Sequence, residues 1–269
     1  MKKVASLQYG VIFKKAFCDV DIFKGFVRDI LGIHLEIDKV ETEKQFKPAI
    51  GHINVKFDCY AEDSKNHIIV EIQHDRNDDH YDRFLHYHCA AILEQMPRGR
   101  KNYRPALKVF TIVVLTSNDR HEKDVLTIDF DPKDLDGKGV NEIAHKIIYL
   151  CPKFVNEKTP APYREWMEAI KDTLDGNVDE ATYHNAMIRK IFNSIEEDDV
   201  TPTERYQMFE EYEKREMEEK AKIEGKLEGK LESQFGIAKN MLAKGLDIKM
   251  IAEFTELSEN AILELRNID

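Results

Sequence analysis

The chain has 269 residues, 42% hydrophobic and 34% charged. That suits one large domain or a domain with an appendage, and the charge exceeds the roughly 25% of an average globular chain, so some stretch is unusually polar. Forty Lys and Arg against 51 Asp and Glu leave a net charge of -11, which excludes coating of nucleic acid or anionic membrane by bulk electrostatics. Cys18, Cys59, Cys89 and Cys151 form no C-x-x-C pair, and no stretch approaches the ~18 apolar residues of a membrane span. The expectations are reduced thiols in the cytoplasm, no thiolate zinc site and no membrane contact.

In chain order, Val11, Ile12, Ala16, Ile22, Phe23, Phe26, Val27, Ile30 and Leu31 recur at three-to-four spacing, predicting one or two short helices over 8–31 that Gly32 ends. A weak alternation over 35–46 predicts a strand closed by Pro48 and Gly51. Residues 53–61 alternate, with Val55, Phe57, Cys59 and Ala61 expected on one face and Lys56, Asp58 and Tyr60 on the other. Residues 67–73 place Ile68, Val70 and Ile72 opposite Ile69, Glu71 and Gln73, and Asp63-Ser64-Lys65-Asn66 between the two runs is turn chemistry. In a hairpin symmetric about Ser64 and Lys65, Asp58 opposes Glu71 and Lys56 opposes Gln73.

Phe84, Leu85, His88, Ala91, Ile92 and Met96 mark a helix over 80–96 that breaks at 97–101. The β-branched run 107–116 predicts a central strand buried on both faces, with shorter strands at 124–130 and 146–150 and helices from Pro160 to about Asn193. These segments make a domain of residues 1–200. From 201 to 235 a charged helical arm is expected. Acid-before-base pairs Glu210/Lys214, Glu211/Arg215 and Glu216/Lys220 support it. A four-residue repeat over 224–232 then stacks Glu on Glu, Lys on Lys, Gly on Gly and Leu on Leu, which suits a solvated linker helix, or one frayed or held by a partner such as a second copy. Residues 236–269 form a helical hairpin, 247–254 and 258–266, with Ser258 as N-cap. It is similar to a helix-turn-helix, but Glu259, Asn260 and Glu264 disfavour a phosphate-lined groove and favour packing or assembly.

Directly opposed carboxylates on a hairpin repel. A divalent cation removes the repulsion, and hard oxygen ligands from Asp58 and Glu71 suit Mg²⁺ or Mn²⁺; the alternative is a surface ladder in which Lys56 or Tyr60 partners one of them. Arg83 and Tyr87, one helical turn apart, are candidates for phosphate contact, or Arg83 braces a carboxylate. His74, His80, His86 and His88 match no zinc spacing, and no phosphate-cradling glycine loop occurs.

Asp58 followed across the hairpin by Glu71-Ile72-Gln73 resembles the core of the PD-(D/E)XK nucleases. The likeness extends to Phe13-Lys14-Lys15-Ala16-Phe17, Arg83, Tyr87, Glu94-Gln95, the strand 110–115 and the Glu-Gly-Lys tail with its Leu-Asp-Ile element. Together they are similar to the recombination-promoting nucleases, also described as PD-(D/E)XK nuclease family transposases. The resemblance implies an α/β, restriction-endonuclease-like mixed sheet flanked by helices. It also implies a metal-dependent endonuclease that hydrolyses DNA phosphodiester bonds in recombination or mobile-element processing, with Asp58 and Glu71 as ligands of Mg²⁺ or Mn²⁺. Gln73 then stands where a lysine is usual, and Phe57 replaces the motif proline. Lys56 is expected to supply the missing charge from across the hairpin. Similar folds recruit a further acid from an earlier segment, for which Glu36, Glu41 and Glu43 are candidates. The competing expectation is an inactive nuclease fold that binds DNA or assembles, with homo-oligomers formed through the arm.

Overall fold

The computed structural model describes residues 1–46, 55–74, 80–95, 105–117 and 119–266. Pro48, Gly51, residues 53–54, Met96 and the helix break at 97–101 lie outside them. The chain divides into two compact units, Met1–Phe209 and Glu210–Asp269.

The first unit opens with a two-residue strand β1 (Lys2–Lys3) and helices α1 (Gly10–Phe17) and α2 (Val20–Leu31). Asp19 caps α2 by accepting from the amides of Asp21 and Ile22, and Gly32 ends it at φ 69°, the left-handed position a C-terminal glycine favours. Strands β2 (Glu41–Phe46), β3 (Val55–Glu62) and β4 (Asn66–Gln73) follow, then helix α3 (His80–Glu94) and strands β5 (Lys108–Leu115), β6 (Val125–Asp129) and β7 (Lys146–Leu150). Helix α4 (Ala161–Asp172), strand β8 (Asn177–Val178) and helix α5 (Ala186–Ser194) complete the unit up to the start of α6 (Pro202–Ala243).

The sheet order is β2-β3-β4-β5-β7-β6. β2, β3 and β4 run antiparallel, β4, β5 and β7 parallel, and β6 antiparallel to β7. The apolar run of β5 is interior, as its lack of alternation predicts, since helices cover both faces. On one face α1, α2, α4 and α5 pack Phe13, Phe17, Phe26, Trp166 and Phe192 against Ile68, Val70, Ile112 and Val114. On the other face Ala91 of α3 packs with Ile69 and Val109, and Phe84 with Val113 and Tyr149. This three-layer α/β fold is the restriction-endonuclease-like architecture expected. α2 and α5 approach so closely that a Cβ on Gly25 would stand 2.7 Å from Met187 Cγ.

Two expectations are corrected here. Residues 173–185, read as helical, contain β8, which pairs antiparallel with the N-terminal β1; that ribbon joins segments far apart in sequence, and neither carries a periodic pattern. The face of β3 is also not continuous. Val55 and Phe57 join Tyr60 under α3, whereas Cys59 and Ala61 face α1 and α2, so the strand changes phase at Asp58. Opposite that point, between the rungs Thr42↔Cys59 and Lys44↔Phe57, Glu43 adopts φ 58° and breaks the pleat of β2.

In the second unit α6 is one continuous helix. Gly245, at φ 75°, closes it through the Leu246 amide donating to the Met241 carbonyl. Along the arm Arg215 pairs with Glu211 and Lys220 with Glu216, but Lys214 turns forward to Glu218 at 3.7 Å rather than back to Glu210. Helices α7 (Ile248–Thr255) and α8 (Glu259–Arg266) pack Ile251 and Ile262 with Leu257 and Leu265 on Ala238 at the end of α6. Asp247 caps α7 and the Ser258 hydroxyl accepts from the Ala261 amide at 3.2 Å, while Glu256 takes the left-handed conformation between the helices.

Candidate active site

β3 and β4 pair regularly from Glu62↔His67 to Cys59↔Val70. Where the next rung would fall, the side chains take over. The Asp58 amide donates to Glu71 Oε1 at 3.1 Å, and the Ile72 amide donates to Asp58 Oδ2 at 3.1 Å. Each strand thus answers the other's backbone with a carboxylate. The turn that sets this register is an Asx turn: Asp63 Oδ1 accepts from the amides of Lys65 (2.8 Å) and Asn66 (2.7 Å).

Glu71 is only 2% exposed. Burial, and then the neighbouring Asp58 charge, push its carboxyl well above the usual range. Burial also raises Asp58, against the Ile72 amide and the charges of Lys14, Arg83 and Lys56, which favour ionisation. Asp58 Oδ1 and Glu71 Oε2 make no hydrogen bond to a described residue.

Gln73 follows on the same face and is buried. Its Oε1 accepts from Arg83 Nη1 at 3.0 Å, and that guanidinium lies over the Tyr87 ring at 5.3 Å from the centroid. Arg83 and Tyr87, read from the sequence as a phosphate-contacting couple or as an Arg bracing a carboxylate, thus stand side by side, with Arg83 hydrogen-bonded to the Gln73 amide. The Lys56–Gln73 approach is replaced: Lys56 pairs in register with Gln45, and its ammonium goes to Glu43 Oε2. The physical reason is the parting of β3 from β4 at Asp58, which moves Lys56 out of the hairpin's pairing and into that of β2.

Among the three acids considered, Glu43 lies opposite Asp58, across the β2–β3 pairing. Glu41, opposite Tyr60, pairs with Lys44 at 3.0 Å, and Glu36 is exposed. Lys14 of α1 also pairs with Glu43, through Oε1. Sequence reasoning gave neither Lys14 nor Glu43 a definite place, because the β2–β3 register depends on contacts no local pattern encodes. The four histidines disperse: His74 to Thr116 (2.9 Å), His80 to Asp119 (3.3 Å), His88 to Thr111 (2.9 Å), and His86 to the surface. Among the described residues no group of three or more His, Cys, Asp or Glu is placed to hold a metal. The Cys59 thiol is pushed well up by burial, which keeps it protonated.

Among the described residues the donor set is therefore two carboxylates, each with one oxygen left without a hydrogen bond. That fits a hard divalent ion, which takes one or two carboxylates and completes its shell with water. A mixed sheet covered on both faces, with an Asp and a Glu-x-Gln meeting across a hairpin, defines the core of a PD-(D/E)XK nuclease. Residues 11–226 match the family model described as PD-(D/E)XK nuclease family transposase, and the chain belongs to this family. Residues 231–267 match the Rpn/YhgA-like nuclease family C-terminal HTH domain. Comparison with curated proteins and with solved structures found no match.

Proposed function

We propose that the protein is a DNA endonuclease dependent on Mg²⁺ or Mn²⁺, hydrolysing phosphodiester bonds in recombination or mobile-element processing. The observation that carries this reading is the Asp58–Glu71 pair, half-buried and buried respectively, mutually repelling, and each with one oxygen that makes no hydrogen bond to a described residue. In this reading Asp58 and Glu71 hold the ion, which supplies a water-derived nucleophile and stabilises charge on the transferring phosphate. Gln73 orients Arg83, whose charge and whose neighbour Tyr87 face incoming phosphate. Lys56 keeps positive charge near Asp58. Residues 1–200 carry the chemistry, 201–235 the arm and 236–269 the hairpin, and the four free cysteines suit the cytoplasm. No helix among the described residues is long and apolar enough to cross a membrane.

The test is nicking of supercoiled plasmid with Mg²⁺, Mn²⁺ or EDTA, beside Asp58→Ala and Glu71→Ala proteins of equal fold by circular dichroism. Metal-dependent nicking lost in both variants supports the reading. The engagement of Gln73 by Arg83 in place of a free lysine favours a second reading, an inactive fold kept for DNA binding or assembly. Mn²⁺ binding without cleavage by any of the proteins selects it.

The HTH description suits DNA contact, yet α8 exposes Glu259, Asn260 and Glu264. We assign DNA binding chiefly to the first unit and assembly to the arm. On α6 the apolar ridge Ile223, Leu227 and Leu231 is 61%, 59% and 39% exposed, with Lys222, Lys226 and Lys230 along one flank and Glu224, Glu228 and Glu232 along the other. Two such helices pairing in parallel about a two-fold axis set each Lys flank against the partner's Glu flank. Antiparallel pairing sets like against like, so a second copy is proposed to pair in parallel. Ridges at four-residue spacing favour a crossing near -50°.

A further inference from the structure

We propose that Lys14 is a phosphate-contacting residue of this site, held ready by Glu43 and delivered from the helical layer opposite the one that delivers Arg83. The proposal rests on the nuclease reading above and adds a residue to it. Lys14 stands on α1, whose Phe13 and Phe17 are buried among the helices of the first layer. Arg83 stands on α3, whose Phe84 and Ala91 pack on the other face. Lys14 is thus held on one side of the sheet by Glu43, which lies opposite Asp58, and Arg83 on the other side by Gln73, two residues from Glu71.

Glu43 is the device that makes this possible. Its Oε1 takes Lys14 and its Oε2 takes Lys56, and the register of β2 on β3 sets it opposite Asp58. A non-glycine residue at φ 58° in a strand is an uncommon conformation that the surroundings must sustain, and such outliers gather at functional sites. Lys14 is the better placed of the two lysines: its side chain is 25% exposed against 52% for Lys56. Its charge also acts on both Asp58 and Glu71. The next residue provides a contrast, because Lys15 goes to Glu204 at 3.0 Å and to the Asp199 carbonyl at 2.8 Å.

A phosphodiester arriving over the carboxylate pair brings an anion that competes with Glu43 for the Lys14 ammonium. Glu43 keeps Lys56, so the exchange leaves no carboxylate unpaired. The positive charge that Gln73 does not provide is then supplied by Lys14 from another element.

The experiment compares wild type with Lys14→Met, Lys14→Arg and Lys15→Met. Binding of a short DNA duplex is measured across a salt series with Ca²⁺, and plasmid nicking with Mn²⁺. For Lys14→Met the expected results are a salt slope smaller by about one and cleavage reduced about 100-fold. Lys14→Arg should restore the slope, and Lys15→Met should change neither quantity. An unchanged slope in Lys14→Met overturns the proposal, whatever happens to cleavage. Equal effects of Lys14→Met and Lys15→Met also overturn it, since they would mean general surface charge. Wild type that does not nick, with a slope that still falls in Lys14→Met, removes the nuclease reading and leaves the phosphate contact standing.

Discussion

Asp58 and Glu71 replace one rung of the β3–β4 ladder with their own carboxylates, each accepting the backbone amide of the other strand at 3.1 Å. The arrangement brings two acids together without leaving the amides of the parted strands unsatisfied, a loss that would cost about 1–3 kcal/mol each. It also orients one oxygen of each acid and leaves the other for an external partner. Substitutions that keep an acceptor should therefore separate folding from metal binding. Asp58→Asn retains an oxygen for the Ile72 amide, so it is expected to fold as wild type by circular dichroism while Mn²⁺ affinity by calorimetry falls at least about 100-fold. Wild-type affinity in Asp58→Asn would dismiss Asp58 as a ligand.

Stability should depend on pH in a way that metal reverses. The Glu71 and Asp58 carboxyls are raised in the folded chain, so the folded state holds protons that the unfolded chain has lost above the ordinary carboxylate range of about 4. Their contribution is fully present below that range and declines as pH rises through the raised values. In EDTA, Tm is expected to fall with rising pH over this window, and Glu71→Gln should flatten the decline. Mn²⁺ at neutral pH should raise Tm in wild type only and release protons, readable by calorimetry in buffers of different ionisation enthalpy. Mn²⁺ that stabilises Glu71→Gln equally would show that the ion binds elsewhere.

The Gln73–Arg83–Tyr87 chain tests the site from the α3 side. Arg83→Ala removes the hydrogen bond to Gln73 and the charge over Tyr87, and is expected to lower cleavage about 10–100-fold with Mn²⁺ affinity unchanged. Stability should change by less than about 1 kcal/mol, because Arg83 is largely exposed. A variant that cuts at the wild-type rate would confine Arg83 to bracing Gln73.

His67 sets an acid limit on the fold. It is 2% exposed, its ring lies 4.4 Å from that of Tyr60, and neither nitrogen has a hydrogen-bond partner among the described residues. Burial lowers its pKa to about 4, and that of His88 to about 3. Both are depressed, so their contribution is present above the unfolded value of about 6.5 and is lost as pH falls through the folded values. His67→Phe should raise Tm at about pH 5 relative to wild type, with a much smaller difference at about pH 8. Parallel pH profiles for the two proteins would contradict this.

The arm predicts its own mode of assembly. Leu227→Glu on the exposed ridge should leave the first unit folded and reduce the solution mass to a single chain by light scattering. Reversing Glu224, Glu228 and Glu232 to Lys should also dissociate the pair. Mixing that protein with one carrying Lys222, Lys226 and Lys230 reversed to Glu should restore association. Wild type that is already a single chain at micromolar concentration ends the pairing proposal.

Local patterns in the sequence determined much of this architecture, because alternation, caps and turn chemistry act over a few residues. The period of two in β4 placed Glu71 and Gln73 together on one face, the Asp63 turn set the hairpin register, and Gly32 and Ser258 marked helix ends that the structure retains. The unbroken apolar run of β5 marked an interior strand, and the acid–base spacing of 204–220 marked the exposed helix. Tertiary structure alone decided where the pattern breaks. The phase change at Asp58 lies opposite Glu43 of β2, a pairing between separate strands, and the β1–β8 ribbon pairs residues about 175 positions apart. The placing of Lys14 at Glu43 and of Arg83 at Gln73 depends on two helices lying on opposite faces of the sheet. Such contacts arise from packing between layers, which no sequence period records.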